Sequence, residues 1–151
     1  RKTSHNLMPE ILLQVGFVKA AEIYCKKMAE GASFSVHFES LGEFPPLKSV
    51  ESLVLYRALQ ELLNNILKHA NASEVLVQIA YTNNLLGISI DDDGSGFDIN
   101  EQKKRNESGL GLFAIVNRIK NIGGIMEVSS RVNDGTSINI EIPVESGAHY
   151  D

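Results

Sequence analysis

The sequence is poor in three features that define large classes of proteins. It has one cysteine, Cys25, among 151 residues, which excludes an internal disulfide framework and a cysteine-rich zinc site. Lys and Arg number 14 against 19 Asp and Glu, so the net charge of −5 gives no electrostatic footprint for nucleic acid or anionic lipid. No apolar run reaches the roughly 18 residues that a membrane-spanning helix needs. The composition is that of an ordinary globular domain.

The beginning of the chain also lacks targeting signals. It opens with Arg1 rather than Met, and no secretory signal peptide follows. We therefore expect a cytoplasmic domain that is a fragment of a longer protein. Cys25 lies in an apolar-periodic stretch, where a small core residue is expected rather than a nucleophile.

What is present is an alternation of helix and strand patterns. Apolar residues recur every three or four positions in three predicted helices, at about 9–30, 51–70 and 111–122. Five strands are predicted at 33–38, 74–81, 85–91, 125–131 and 136–142. The predicted core stripe of the first helix is Ile11, Val15, Val18, Ala21, Tyr24 and Met28. These patterns predict one α+β domain in two layers, with the helices on one face of a mixed, mostly antiparallel sheet.

Two short segments predict hairpin turns between the later strands. Residues 82–84 contain two asparagines, and residues 133–135 read Asn-Asp-Gly. These residue types tolerate the left-handed backbone that tight hairpins need. The polar tail from Glu145 is expected to fray.

The second predicted helix carries the first candidate site. Glu61, Asn65 and Lys68 are spaced so that all three project from one face. An amide oxygen suits magnesium, an ammonium suits phosphate, and a carboxylate can accept a proton. On this helix alone, an ordinary polar surface with a Glu–Lys arrangement explains the three residues more simply.

The second candidate site follows a predicted strand and reads Asp91-Asp92-Asp93-Gly94-Ser95-Gly96. An Asp at a strand end beside a glycine turn can accept a hydrogen bond from an exocyclic amine such as that of adenine. A calcium loop fails on spacing, because Asn100 and Gln102 stand where a Glu ligand would be needed. An acidic turn without a role remains an alternative.

Two further glycine motifs complete the set. Gly109-Leu110-Gly111-Leu112 opens the third helix, where backbone N–H groups and the helix dipole favour a phosphate. It is neither a Walker loop nor a dinucleotide fingerprint. Residues 97–108 before it, with Lys103, Lys104 and Arg105, have the character of a lid or of a solvated loop. Gly135-Thr136 opens the last strand.

The four motifs, in this order and on these elements, resemble the N, G1, G2 and G3 boxes of the GHKL ATPases. The resemblance covers the chain from Ser33 to Pro143 and implies the Bergerat ATP-binding fold. Within that superfamily, residues 61–70 resemble the N box of bacterial sensor histidine kinases that partner with response regulators of the NarL type. The start, with Leu7 to Glu10, resembles the segment that joins their dimerisation helices to the catalytic domain. We expect a linker at 1–8, the catalytic domain at 9–144 and a flexible tail at 145–151.

The resemblance implies roles for individual residues at a site for ATP and Mg²⁺. Asn65 would ligate Mg²⁺, and Glu61 would orient or deprotonate the attacking group. Asp92 would accept a hydrogen bond from the adenine amine, and Thr136 would support this contact through a bridging water. Gly94 and Gly96 would lie at the adenine pocket. The remaining nucleotide-binding positions would lie near the phosphates or in the lid: Lys68, His69, Lys104, Arg105, Gly109, Leu110, Gly111 and Leu112.

The implied activity is transfer of the ATP γ-phosphoryl group to a histidine on a separate dimerisation domain, with a response regulator as an indirect partner. His5 lacks the expected context, because Asn6 follows it and Pro9 interrupts any helix. The acceptor histidine is therefore expected outside this chain. The chain itself would be monomeric. Its full-length parent would be a homodimer, either free or anchored in the inner membrane. A serine kinase of the anti-sigma-factor type and a non-catalytic nucleotide-gated module on the same fold remain as alternatives.

Overall fold

A computed structural model describes residues 8–69, 71–101 and 111–145. The helices of this part of the chain are α1 (Glu10–Glu30), α2 (Ser49–His69) and α3 (Leu112–Asn121). The strands are β1 (Ser35–Leu41), β2 (Glu74–Thr82), β3 (Leu85–Asp92), β4 (Ile125–Ser130) and β5 (Thr136–Pro143). None of the helices in these ranges combines the length and apolar character that crossing a bilayer requires.

The strands form one sheet in the order β1-β2-β3-β5-β4. β1 pairs with β2 in parallel, whereas the other three pairs are antiparallel. A parallel pair needs a long crossover, and α2 supplies it between β1 and β2. The predicted α+β fold with a mixed, mostly antiparallel sheet of five strands is confirmed.

Both predicted hairpin turns are confirmed by their backbone angles. Asn83 and Asn84 join β2 to β3 with φ of 55° and 64°, the left-handed pair that a two-residue turn requires. Asn133 and Gly135 have φ of 68° and 74° between β4 and β5. These turns fix the register of the two hairpins, and with it the residues that face each other across them.

The core lies between one face of the sheet and the helices. Alternate residues of the central strands are buried on this face, among them Val75, Val77, Ile79, Ile88, Ile90, Ile138 and Ile140. The apolar residues that recur every three or four positions along α2 are buried in the core: Leu55, Leu59, Leu62 and Ile66. The opposite face of the sheet is polar and open, with Glu39, Gln78, Ser89, Glu127 and Asn139 along it. Side chains at the ends of strands on the core face therefore point toward the helices.

The predicted core stripe of α1 is wrong in part, because the helix is interrupted. Gly16 has φ of 82° and ψ of 173°, so the chain leaves the helical conformation there and resumes it with a new phase. The buried residues are consequently Leu12, Phe17, Ala20, Ala21 and Cys25. Val15, a member of the predicted stripe, is 43% exposed.

Cys25 is a core residue, as predicted. Its side chain is buried, and burial raises the pKa of the thiol to about 12, so it stays protonated and unreactive at neutral pH. The prediction for β1 is displaced. The strand lies at Ser35–Leu41 rather than 33–38, because its pairing with β2 continues as far as Ala80.

Candidate functional site

Three polar side chains meet at one end of the sheet, on the face that carries the core. Asp92 ends β3 and is paired with Thr136, which opens β5, and Thr136 is paired in turn with Ser130, which ends β4. Strand alternation puts all three on the side of Ile90 and Ile138. The core face thus changes from apolar to polar at this end, where the carboxylate and two hydroxyls lie in one row.

The hydroxyl of Ser130 forms hydrogen bonds that connect this row to the backbone around it. Its Oγ lies 2.8 Å from the hydroxyl of Thr136 and 3.1 Å from the carbonyl oxygen of Gly135, to which it donates. It also accepts the backbone N–H of Phe97 at 2.9 Å, which ties the glycine-rich loop after β3 to the β4–β5 hairpin. Ser130 was not among the residues predicted from the sequence. The signal was present, because the turn at 133–135 sets Ser130 opposite Thr136 in the hairpin.

The three consecutive aspartates have three separate surroundings. Asp91 accepts a hydrogen bond from Ser137, and strand alternation puts both residues on the open face of the sheet. Asp93 accepts the backbone N–H groups of Ser73 and Glu74 at 2.8 and 2.9 Å, and these bonds, with that from Glu74 foremost, lower its pKa. Asp92 alone faces the helices. Asp92, which is the one predicted to bind adenine, is therefore also the one directed toward the helices, and its role stays a prediction.

The carboxyl group of Asp92 is half-buried. Burial raises its pKa, and the neighbouring Asp93 and Asp91 charges act in the same direction. The N–H of Gly94, at 2.8 Å from Oδ1, and the N–H of Thr136 oppose the rise by stabilising the ionised form. The Asp92 carboxylate is thus less solvated than in water and is bound by two backbone N–H groups. It has oxygen lone pairs left to accept a further hydrogen bond.

Two glycines permit the close approach of the loop and the hairpin. Gly96 has φ of 65°, and a Cβ on it would lie 1.9 Å from the carbonyl oxygen of Arg131. Gly135 has φ of 74°, and its Cβ would lie 2.3 Å from the carbonyl oxygen of Asp92. Gly94 is buried beneath the carboxylate. The three glycines thus lie where the backbone passes close around Asp92. A polar cavity of about 300 Å³ lies beside them and is lined by Asp92, Ser130, Thr136 and their neighbours.

Alanine at Gly135 is expected to destabilise the fold by about 3–5 kcal/mol, because left-handed strain and a backbone clash add together. Gly123 is a matched control, since its φ is 89° but a Cβ there meets nothing within 4 Å. Gly123→Ala should therefore cost only the strain of about 1–2 kcal/mol. Urea unfolding of the two variants measures the difference, and equal losses would show that the contact with Asp92 is unimportant.

The start of the predicted lid is better anchored than expected. Phe97 packs against the core, and Asp98 Oδ1 accepts the N–H groups of Asn100 and Glu101 at 2.9 and 3.1 Å, which caps a helical turn at 99–101. Residues 97–101 therefore anchor the start of this segment to the core, and the lid itself stays a prediction. Lys103, Lys104, Arg105, Gly109 and Leu110 lie outside the described residues.

After the predicted lid, Gly111 has φ of 114° and stands immediately before the first turn of α3. A side chain is strained at such an angle, so this position favours glycine. Leu112 is buried in the core. Because the side chain of Leu112 is buried, only its backbone N–H can contribute to a ligand site. That N–H belongs to the first turn of α3, where N–H groups have no acceptor within the helix.

The predicted residues on α2 differ in exposure. Asn65 is half-buried, whereas Glu61, Lys68 and His69 are exposed, the last two in the final turn of the helix. Glu61 is held by a residue that the sequence analysis missed, since Arg118 Nη1 on α3 donates to Glu61 Oε1 at 2.8 Å. No pattern in the sequence indicated this pair, because it depends on how α2 and α3 cross.

Two larger cavities of the described structure lie away from these residues. One, of about 430 Å³, is on the open face of the sheet. The other, of about 660 Å³, lies between α1 and the segment before α2. Size alone would favour them, but neither contains the converging carboxylate, hydroxyls and backbone donors found around Asp92.

Comparison with known families gives these residues a context. The family described as "Histidine kinase-, DNA gyrase B-, and HSP90-like ATPase" matches residues 51–146, which is most of the chain. The chain belongs to this ATPase family. The matched segment contains α2, the β3 end with Asp92 and the β5 start with Thr136, so the row of polar residues lies within its ATP-binding domain.

Curated relatives within this ATPase family extend the match over nearly all of the chain. It is 31% identical over 143 residues to the sensor histidine kinase MctS of Rhizobium johnstonii, covering 95% of this chain and 31% of that protein. It is 32% identical over 143 residues to the sensor histidine kinase ComP of Bacillus subtilis, covering 94% of this chain and 18% of that protein. The signal transduction histidine-protein kinase/phosphatase DegS of the same organism is 28% identical over 139 residues, covering 90% and 36%. The chain thus spans between 18% and 36% of these three relatives.

Solved structures show the same fold. The histidine kinase domain of the blue-light activated histidine kinase from Erythrobacter litoralis EL346 superposes with a TM-score of 0.65 at 20% identity, covering 85% of this chain and 61% of that one. A second structure of that kinase gives a TM-score of 0.67 at 19% identity, covering 85% and 42%. The ATPase fold predicted from the sequence is confirmed.

Proposed function

We propose that this chain is the catalytic domain of a sensor histidine kinase, which binds ATP and transfers its γ-phosphoryl group to a histidine on a separate dimerisation domain. The observation that carries the proposal is the half-buried Asp92 carboxylate at the end of β3, between the N–H groups of Gly94 and Thr136. The family is one of ATPases, and the relatives matched over at least 90% of this chain are named histidine kinases.

Asp92 would recognise the adenine ring. Its ionised carboxylate accepts the hydrogen bond of an exocyclic amine, and partial burial strengthens that bond relative to water. The hydroxyls of Ser130 and Thr136 lie beside it and can hold a bridging water to the ring. Gly94 and Gly96 would shape the adenine pocket, Gly94 by donating its N–H to Asp92 and Gly96 by letting the loop approach the backbone of Arg131.

The phosphates would lie toward α2 and the start of α3. In the proposed site, Asn65 supplies an oxygen ligand for Mg²⁺, and the backbone N–H groups at Gly111 and Leu112 meet the phosphates at a helix N-terminus. Lys68 and His69, with Lys104, Arg105, Gly109 and Leu110 in the lid, would surround the same charges. The proposed path for the nucleotide therefore runs from the sheet end to the two helices.

The donor set is compatible with Mg²⁺ bound together with a nucleotide. Among the described residues, no three His, Cys, Asp or Glu side chains gather to hold a metal by themselves. Mg²⁺ typically uses one or two protein oxygens and completes its shell with phosphate oxygens and water. The ion would neutralise charge on the transferred phosphoryl group. Asn65, half-buried on α2, can serve as that protein ligand.

Glu61 would act on the incoming histidine. One imidazole nitrogen forms a bond to the γ-phosphorus while the bond from that phosphorus to the departing ADP oxygen breaks. An exposed carboxylate one helical turn before Asn65 can accept a hydrogen bond from the other ring nitrogen and so orient the ring. The acceptor histidine, its dimerisation domain and a NarL-type response regulator would be the partners of the longer, dimeric protein in the cytoplasm.

A labelling experiment tests the proposal. The chain is incubated with Mg²⁺, ATP labelled at the γ-phosphate and a histidine-bearing dimerisation domain. We expect acid-labile, alkali-stable label on the histidine of the added domain. Label on a serine of a supplied protein would instead indicate the serine kinase, and ATP binding without any transfer would indicate a non-catalytic module.

A further inference from the structure

The ion pair between Arg118 and Glu61 connects two helices of the proposed site. α2 carries the residues assigned to contact Mg²⁺ and the acceptor histidine, and the start of α3 is assigned to the phosphates. Arg118 lies in the last turn of α3, the helix that begins at Leu112, and Glu61 lies in the middle of α2. The two atoms are 2.8 Å apart, in a geometry that satisfies both a hydrogen bond and an ion pair. The pair therefore forms a direct polar link between α2 and α3.

The backbone of both partners is firmly anchored, although their side chains reach solvent. Glu61 precedes the buried Leu62 and Leu63, and Arg118 precedes the buried Ile119. The side chains themselves are 49% and 45% exposed, so water screens the pair and it adds little to the stability of the fold. In the structure, the pair sets the direction of the Glu61 carboxylate relative to α3.

We propose that Arg118 is a positioning residue for phosphoryl transfer, which holds the Glu61 carboxylate in the orientation that meets the imidazole of the acceptor histidine. This inference rests on the proposed function. With Oε1 bound to the guanidinium, Oε2 is the oxygen that meets the ring. Arg118 itself touches neither nucleotide nor imidazole, and a planar guanidinium fixes the carboxylate better than a lysine would.

A double-mutant cycle on the transfer rate tests this role, with Arg118→Gln, Glu61→Gln and the double variant. Arg118→Gln is expected to lower kcat by about 10-fold, by analogy with the lower end of the range found for partners that orient metal ligands. The KM for ATP should stay unchanged. In the Glu61→Gln background, Arg118→Gln should cause no further loss. Arg118→Lys should recover part of the rate, and Lys120→Gln, an exposed cation in the same last turn, should behave as wild type.

Other outcomes would overturn the inference. Losses that multiply in the double variant would show that Arg118 acts independently of Glu61, and a raised KM for ATP with unchanged kcat would make it a nucleotide contact. An Arg118→Gln variant with the wild-type rate would reduce the pair to a surface ion pair. Failure of the proposed function has a separate signature: the wild-type chain itself would then transfer nothing to histidine, and the inference would fall with it.

Discussion

Asn65→Ala is expected to lower the rate of phosphoryl transfer by about 10²- to 10³-fold, the scale seen when one group that stabilises transition-state charge is lost. The reason is that the amide of Asn65 is the one oxygen we assign to Mg²⁺ from α2. Binding of ADP without Mg²⁺ should change little, because we assign adenine recognition to Asp92, which lies on a different element. Single-turnover transfer and an ADP titration measure the two properties separately.

Asn64 provides a matched control for this prediction. It is the same residue type one position earlier, it is exposed, and its side chain is hydrogen-bonded to Tyr24 rather than directed at the proposed site. Asn64→Ala should transfer at the wild-type rate. A wild-type rate in folded Asn65→Ala, or an equal loss in Asn64→Ala, would reject the assignment of the metal to Asn65.

Asp92→Asn is expected to weaken ATP binding by about 10- to 100-fold, the equivalent of a charged hydrogen bond worth about 1.5–3 kcal/mol. The asparagine oxygen would continue to accept the N–H of Gly94, which leaves its NH₂ group to face the adenine amine, donor against donor. Asp93→Asn is the matched control, since Asp93 binds the chain at Ser73 and Glu74 and should leave ATP affinity unchanged.

The same two variants should shift stability in opposite directions at neutral pH. Folding raises the pKa of Asp92, so its stabilising contribution is full below the unfolded-state pKa and is lost as the pH rises through the folded-state value. Asp92→Asn should therefore be more stable than wild type at neutral pH. Folding lowers the pKa of Asp93, so its contribution is present above the unfolded-state pKa, and Asp93→Asn should be less stable. Urea unfolding at neutral pH measures both signs, and a destabilised Asp92→Asn would contradict the burial argument.

Most of the fold could be predicted because its signals are local. β2, β3 and β5 lie within a residue of the predicted bounds, since alternation along a strand is direct evidence of one buried face. The two turns carry residues that tolerate a positive φ. The break at Gly16 was missed because a glycine within a helical pattern is compatible with both a helix and a kink, and the choice depends on tertiary packing.

The site could be predicted in its parts but not in its assembly. The order of the motifs identified Asp92 and Thr136, and the hairpin register could have added Ser130. The pairing of Asp92 with Thr136 depends on β3 lying beside β5, a long-range contact that no local pattern encodes. The pair of Glu61 and Arg118 depends in the same way on the crossing of α2 and α3. Local patterns thus indicate candidate chemical residues more readily than the residues that contact them.

The proposed contact between Asp92 and the adenine amine of ATP is tested by exchanging that amine for a carbonyl. Inosine triphosphate makes this change, and calorimetric titration of ATP and ITP into wild type and Asp92→Asn gives the ratio of affinities for each protein. We predict that wild type prefers ATP by at least about 10-fold, the value of one polar recognition contact, and that Asp92→Asn loses or reverses this preference because its NH₂ group can donate to the carbonyl. Equal preference for ATP in both proteins would contradict the proposed contact.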